Sequence, residues 1–163
     1  MEWIRNSVEF DGIFSRARCA LSALTDYMGA KAQKISFDDA QISTRSFLKL
    51  LQTLMRSSGD ESAYYLVLSP DPVGYFYRHF HKSPLLQIGL EDSGEDYLKF
   101  LHEDPGQSLA DAIGTNWSEA VIFSDRTDWL IQAYRKAEDD GGQLWVPSSW
   151  VPALVKEYSF LRK

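Results

Sequence analysis

A single cysteine, Cys19, stands among 163 residues, so no intrachain disulfide can form and a four-thiolate zinc site is excluded. No stretch reaches the roughly 18 consecutive apolar residues needed to cross a bilayer. The opening MEWIRNSVEFDG has neither the basic start nor the continuous apolar stretch of a signal peptide, so a cytosolic location without membrane attachment is expected. No Gly-x-Ser-x-Gly elbow is present to offer a nucleophilic serine. Gly141-Gly142 follows Asp139-Asp140, whose charges would repel phosphate, and no other glycine-rich phosphate loop exists. Clustered Lys/Arg, which nucleic acid requires, is also missing, so direct binding of DNA or RNA is disfavoured. These absences point to a chain without a cofactor that binds rather than catalyses.

The length fits one domain, since single cores usually hold about 100–200 residues. With 44% apolar and 25% charged residues, a packed core rather than disorder is expected. Aromatic side chains make up 13% of the chain, enough to serve an interface as well as a core. Charge is uneven. Residues 1–59 hold 8 bases and 6 acids, a net of +2, whereas residues 60–163 hold 9 bases and 17 acids, a net of −8.

Ala17, Ala20, Leu21, Leu24 and Met28 recur at spacings of three and four, predicting a helix over 16–28 capped by Ser15. A second helix is predicted over 44–57, with a broad apolar stripe from Phe47 to Met55, a cap at Ser43 or Thr44, and Gly59 after it. Between them, residues 31–42 read as a loop with a short extended piece at Ile35 and Phe37. Residues 63–69 (AYYLVLS) form the clearest strand. Asp71-Pro72 then reads as a helix start, and GYFYRHFHK fits a short helix or a strand equally. A strand over 85–90 precedes a helix over 95–102, capped by Ser93, with Tyr97, Leu98 and Leu101 inward. A further turn is expected over 108–113. Strand-like runs at 120–123 and 129–134 flank the turn Ser124–Thr127 as a hairpin. A turn at 139–142, a strand at 143–146 and a C-terminal helix with Pro152 in its first turn complete the chain. The pattern predicts an α+β fold: a mostly antiparallel sheet with two N-terminal helices and a C-terminal helix packed around it, in a single domain over 1–163.

Three constellations bear on chemistry. If the segment around His79-Phe80-His81 is a strand, both imidazoles share a face, with backbones about 7 Å apart, and could hold a metal with His102 or an acid. The alternative is a polar flank to Tyr75-Phe76-Tyr77-Arg78, which the absence of a tighter ligand signature favours. Cys19, beside Ala20 and Leu21, reads as a buried, inert thiol. Asp125 and Asp128 could act as paired carboxylates, but turns favour aspartate for local hydrogen bonding.

The acidic tract carries more weight. Glu91, Asp92, Glu95, Asp96, Glu103, Asp104 and Asp111 face one base, Lys99, within 21 residues. Most such tracts are solvated surface, and acids in a first helical turn also suit its positive end. The functional reading is a docking surface for a basic protein, with charge setting encounter rate and selectivity. Tyr97, Phe100 and Trp117 would be its apolar anchors.

Residues Trp117 to Ile131 (WSEAVIFSDRTDWLI) resemble a hairpin of bacterial polymorphic-toxin immunity proteins: a Trp before a hydrophobic strand, an Asp-containing turn, and a second strand opening on Trp. The pattern departs after Tyr134, where Arg135-Lys136-Ala137-Glu138 runs into a glycine-rich turn rather than a long hydrophobic strand. No functional residue carries over from it. The resemblance implies a small cytosolic protein that neutralises a cognate toxin by binding it, and many such toxins are basic nucleases. The sequence expectation is therefore an immunity or antitoxin-like protein, not an enzyme. Its rivals are a small metal-dependent or ligand-binding enzyme centred on His79 and His81, and a structural or adaptor subunit.

Overall fold

The computed structural model describes residues 1–4, 6–22, 32–103, 114, 117–135 and 141–162. Among the described residues seven strands form one sheet: β1 (Glu2–Trp3), β2 (Ala32–Phe37), β3 (Ser62–Ser69), β4 (Leu85–Gly89), β5 (Glu119–Ser124), β6 (Leu130–Tyr134) and β7 (Gly141–Pro147). Their spatial order is β1-β4-β3-β5-β6-β7-β2, and every described pairing is antiparallel. The helices are α1 (Ser7–Ser22), α2 (Arg45–Ser58), α3 (Arg78–Phe80), α4 (Gly94–His102) and α5 (Val151–Glu157). The fold is α+β, as the sequence predicts.

Helix α2 follows its local signals. The Thr44 side chain accepts a hydrogen bond from the Phe47 N–H, and Gly59 ends the helix at φ 73°, where a Cβ would be strained. Helix α1 departs from expectation by starting nine residues earlier. Asn6 caps it, its side-chain oxygen accepting from the Val8 N–H at 2.9 Å. Phe10, Ile13 and Ala17 continue the three-and-four spacing back towards that cap and are the buried residues of the helix. Cys19 lies about 200° around the helix from Ala17, so it is exposed and not the buried thiol expected.

The short extended piece expected at Ile35 and Phe37 within the loop before α2 is a six-residue strand, β2, followed by a 3-10 turn at Asp39–Ser43. Gly141 and Gly142, expected in a turn, instead pair within β7. The C-terminal helix begins at Val151, with Pro152 in its first turn as expected. The turn expected over 108–113, and residues Asp139 and Asp140, lie outside the described residues.

The sheet buries both faces. One face packs Ile35, Tyr65, Ile122, Ile131 and Leu144 against Leu51 and Leu54 of α2, Tyr97 and Leu101 of α4 and Leu154 of α5. The other packs Tyr64, Leu66, Val121 and Phe123 under Phe10, Ile13 and Ala17 of α1. Consecutive residues such as Tyr64 and Tyr65 enter opposite cores, which is why β3 reads as an almost continuous apolar run. The β5–β6 hairpin is fixed to the end of α2, because the Arg126 guanidinium donates to the Ser58 carbonyl at 2.9 Å. Its backbone N–H donates to Asp60, a buried carboxylate that also accepts from the Ser58 hydroxyl.

Candidate partner-binding surface

Helix α4 brings the acidic tract beside the β1 edge of the sheet. Ser93 caps α4, accepting from the Asp96 N–H at 3.0 Å while its hydroxyl donates to the Asp96 carboxylate at 2.7 Å. This reciprocal bonding places Glu95 and Asp96 on the exposed first turn, where the helix dipole favours them. Glu91 and Glu103 are exposed as well. Lys99 sits between Glu95 and Glu103, four residues from each, and offsets part of their charge.

Three other members of the expected site point elsewhere. Asp92 is half-buried and takes the Met1 ammonium at 2.7 Å and the Gly89 N–H at 2.6 Å, so it fastens β1 rather than facing a partner. Tyr97 is fully buried and donates its hydroxyl hydrogen to the Ile42 carbonyl at 2.7 Å. Burial, with a smaller effect from Tyr65, raises its phenol well above the ordinary value. Trp117 is buried beneath Arg135, whose guanidinium carbon lies 4.1 Å from the ring centre while its Nε donates to Asp39 at 2.7 Å. Neither aromatic can anchor a surface contact, which corrects the expectation for both. Asp104 and Asp111 lie outside the described residues.

The aromatics that do accompany the acids are Trp3 and Phe100. Their ring centres are 6.2 Å apart, and the Trp3 indole N–H donates to the Glu103 carboxylate at 3.2 Å. Together with Glu2, Asn6 and Glu9 they line a groove of about 430 Å³ along the β1 edge. Phe100 was within reach of sequence reasoning. Trp3, Glu2 and Glu9 were not, because the Trp3–Glu103 contact spans 100 residues. The only local signal was the Glu2-Trp3-Ile4 alternation, too short to read as a strand.

The histidine pair takes a different form from the strand that a shared metal needed. Residues Pro72–Tyr77 form a π-helical turn running directly into α3. His79 lies in α3 and His81 just past its end, in the left-handed region at φ 52°, so the extended alternation that would put both imidazoles on one face is absent. The His79 Nδ1 hydrogen-bonds to the Tyr75 carbonyl at 2.7 Å, and the His81 ring packs edge-on to Tyr77. Among the described residues, no three His, Cys, Asp or Glu are grouped closely enough to hold a metal. Asp125 pairs with Arg16 at 2.6 Å, tying the hairpin turn to α1. Partial burial alone would lower the Arg16 pKa, but hydrogen bonds to Asp125 and Tyr64 raise it on balance. No described helix is long and apolar enough to cross a membrane. No family model, curated protein or solved structure matches this chain.

Proposed function

We propose that this chain is an immunity or antitoxin-like binding protein that occupies and neutralises a basic protein partner. The observation that carries the reading is the Trp3–Phe100 groove with Glu2, Glu9 and Glu103 around it. Aromatic rings offer contact area to the stem of a lysine or arginine and a π face to its charge. Carboxylates on the same groove complete the match, and Glu91 and Glu95 extend the negative field that steers encounter. Small ligands favour enclosed apolar pockets, whereas an open acidic groove suits the side chains of another protein. The hairpin resemblance supports the same class.

The test is co-expression with a basic toxin domain encoded beside this chain's gene. Wild-type protein is expected to restore growth, and a Trp3→Ala, Glu9→Lys variant is expected to lose that rescue while remaining folded by circular dichroism. If wild-type protein restores growth against no such neighbour, or the variant rescues as well as wild type, the reading fails.

A further inference from the structure

The segment Pro72–Lys82 is the chemical opposite of the groove. No acid occurs from Pro72 to Leu90, while Arg78, His79, His81 and Lys82 crowd its end. It also projects apolar surface. Among the described residues, the exposed large hydrophobic side chains are Val73 (52%), Tyr77 (43%) and Val8 (78%). Val73 and Tyr77 lie on this knob, and Val8 lies in the first turn of α1 between the groove residues Asn6 and Glu9. The pair on the knob forms an exposed apolar face, and Val8 adds an apolar side chain beside the oppositely charged groove.

The knob is held in shape before any partner arrives. Asp71 caps its π-helical turn, accepting from the Val73 and Gly74 N–H groups. Phe76 anchors it in the core, and His81 turns the chain at φ 52° against the Tyr77 ring. A preformed projection loses little conformational freedom on docking.

The knob joins β3 to β4 at one end of these strands, close to where β1 pairs with the start of β4. The knob leads into β4, and β1 pairs along the outer side of β4, with Trp3 opposite Leu86 and the Ile4 N–H donating to the Leu85 carbonyl at 3.1 Å. We infer that a second copy of this chain docks here, each copy placing Tyr77 and Arg78 in the Trp3–Phe100 groove of the other. Because knob and groove adjoin near the start of β4, a two-fold axis lets the knob of each copy meet the groove of the other, and two-fold symmetry is the commonest among homodimers. The groove is then hidden in the dimer, so a basic partner and a second copy compete for it. The inference stands without the toxin reading, because it rests only on surfaces of this chain.

Sedimentation velocity of the full chain at physiological ionic strength tests it. The wild-type coefficient is expected to rise with concentration towards that of a dimer. Arg78→Glu with Lys82→Glu, or Glu2→Lys with Glu9→Lys, is expected to weaken association by about tenfold or more. Combining all four substitutions exchanges the two charges and is expected to restore the dimer, a result that misfolding cannot imitate. A wild-type chain that stays monomeric throughout, a dimer indifferent to either pair, or a four-fold variant no better than the pairs would each overturn the inference. Such failure leaves the rescue assay untouched, and failure of the rescue assay leaves the dimer untouched.

Discussion

The two edges of the sheet are finished in different ways. At one edge β2 runs for six residues, and Ser36 exchanges both backbone hydrogen bonds with Arg162 near the C-terminus. At the other, β1 contributes only two residues, and acidic side chains surround it. Short strands and charges are the usual protection against unwanted strand pairing. On the proposed reading the β1 edge meets partners through side chains in its groove, whereas the β2 edge is bridged to the chain's own backbone at Arg162 and has mainly a structural task. That contrast predicts where substitutions cost stability and where they cost binding.

The largest loss of stability is expected just inside the β1 edge, on the buried side of α4. Tyr97→Ala removes a fully buried ring and leaves the Ile42 carbonyl without its donor, costing about 3–5 kcal/mol in denaturant unfolding. A loss below about 1 kcal/mol would mean that α4 is not fixed by this residue. Alkali probes the same core. Burial raises both the Tyr65 and Tyr97 phenols above 10.0, with Asp39 also raising Tyr65 and Arg135 lowering it. Because the folded values exceed the unfolded ones, their contribution is intact below about pH 10 and is lost as pH rises towards the folded values. Unfolding titrations should show a steep decline there, made shallower by Tyr65→Phe. A decline unaffected by that substitution would assign the alkaline transition to other groups.

At the β2 edge, Gly142→Ala is the sharper test. A Cβ on Gly142 would run into the Phe37 ring, and that ring is held between Phe47 and Phe160 at 5.5 and 6.5 Å, so it cannot swing aside. The expected cost is about 1–3 kcal/mol, with partner binding retained by the folded fraction. A substitution that spared stability and abolished binding would place the recognition surface at the wrong edge.

How far the sequence revealed these edges depended on how local the signals were. Helix α2 and the β5–β6 hairpin were legible because caps, glycine and alternation lie within a few residues of what they control. Tyr97 was open to two expectations, an inward position from helical spacing and a surface anchor from its acidic neighbours. Helical phase decided, since Tyr97 and Leu101 are four residues apart on the buried side while Phe100 turns towards Trp3. The burial of Trp117 is not legible in the sequence, because nothing near it announces Arg135 as its cover. The groove was the least legible feature, since its walls come from the first nine residues and from Phe100 on α4, which only folding brings together.

Trp3→Ala carries the contrast onto the groove itself. The ring is half-buried and bonded to Glu103, so its loss should cost about 1 kcal/mol of stability. Affinity for the basic partner should fall by about 2 kcal/mol or more, roughly thirtyfold, as expected of an aromatic anchor. Calorimetric titration would decide the matter. Unchanged affinity in a folded Trp3→Ala protein would leave the groove without a role.

The smallest effect on stability is expected from Glu91→Lys combined with Glu95→Lys. Both side chains are exposed on or beside the first turn of α4, so unfolding should shift by no more than about 0.5 kcal/mol. Their field is long-ranged, however, and reversing it should slow association with the basic partner by about tenfold at low ionic strength. Added salt should shrink that difference as screening shortens the reach of the field. Lys34→Glu, on the exposed side of β2, supplies the control at the opposite edge and should leave the association rate close to wild type. Equal rates for wild type and the double variant at low salt would reduce the tract to solvated surface and leave recognition to the aromatic groove alone.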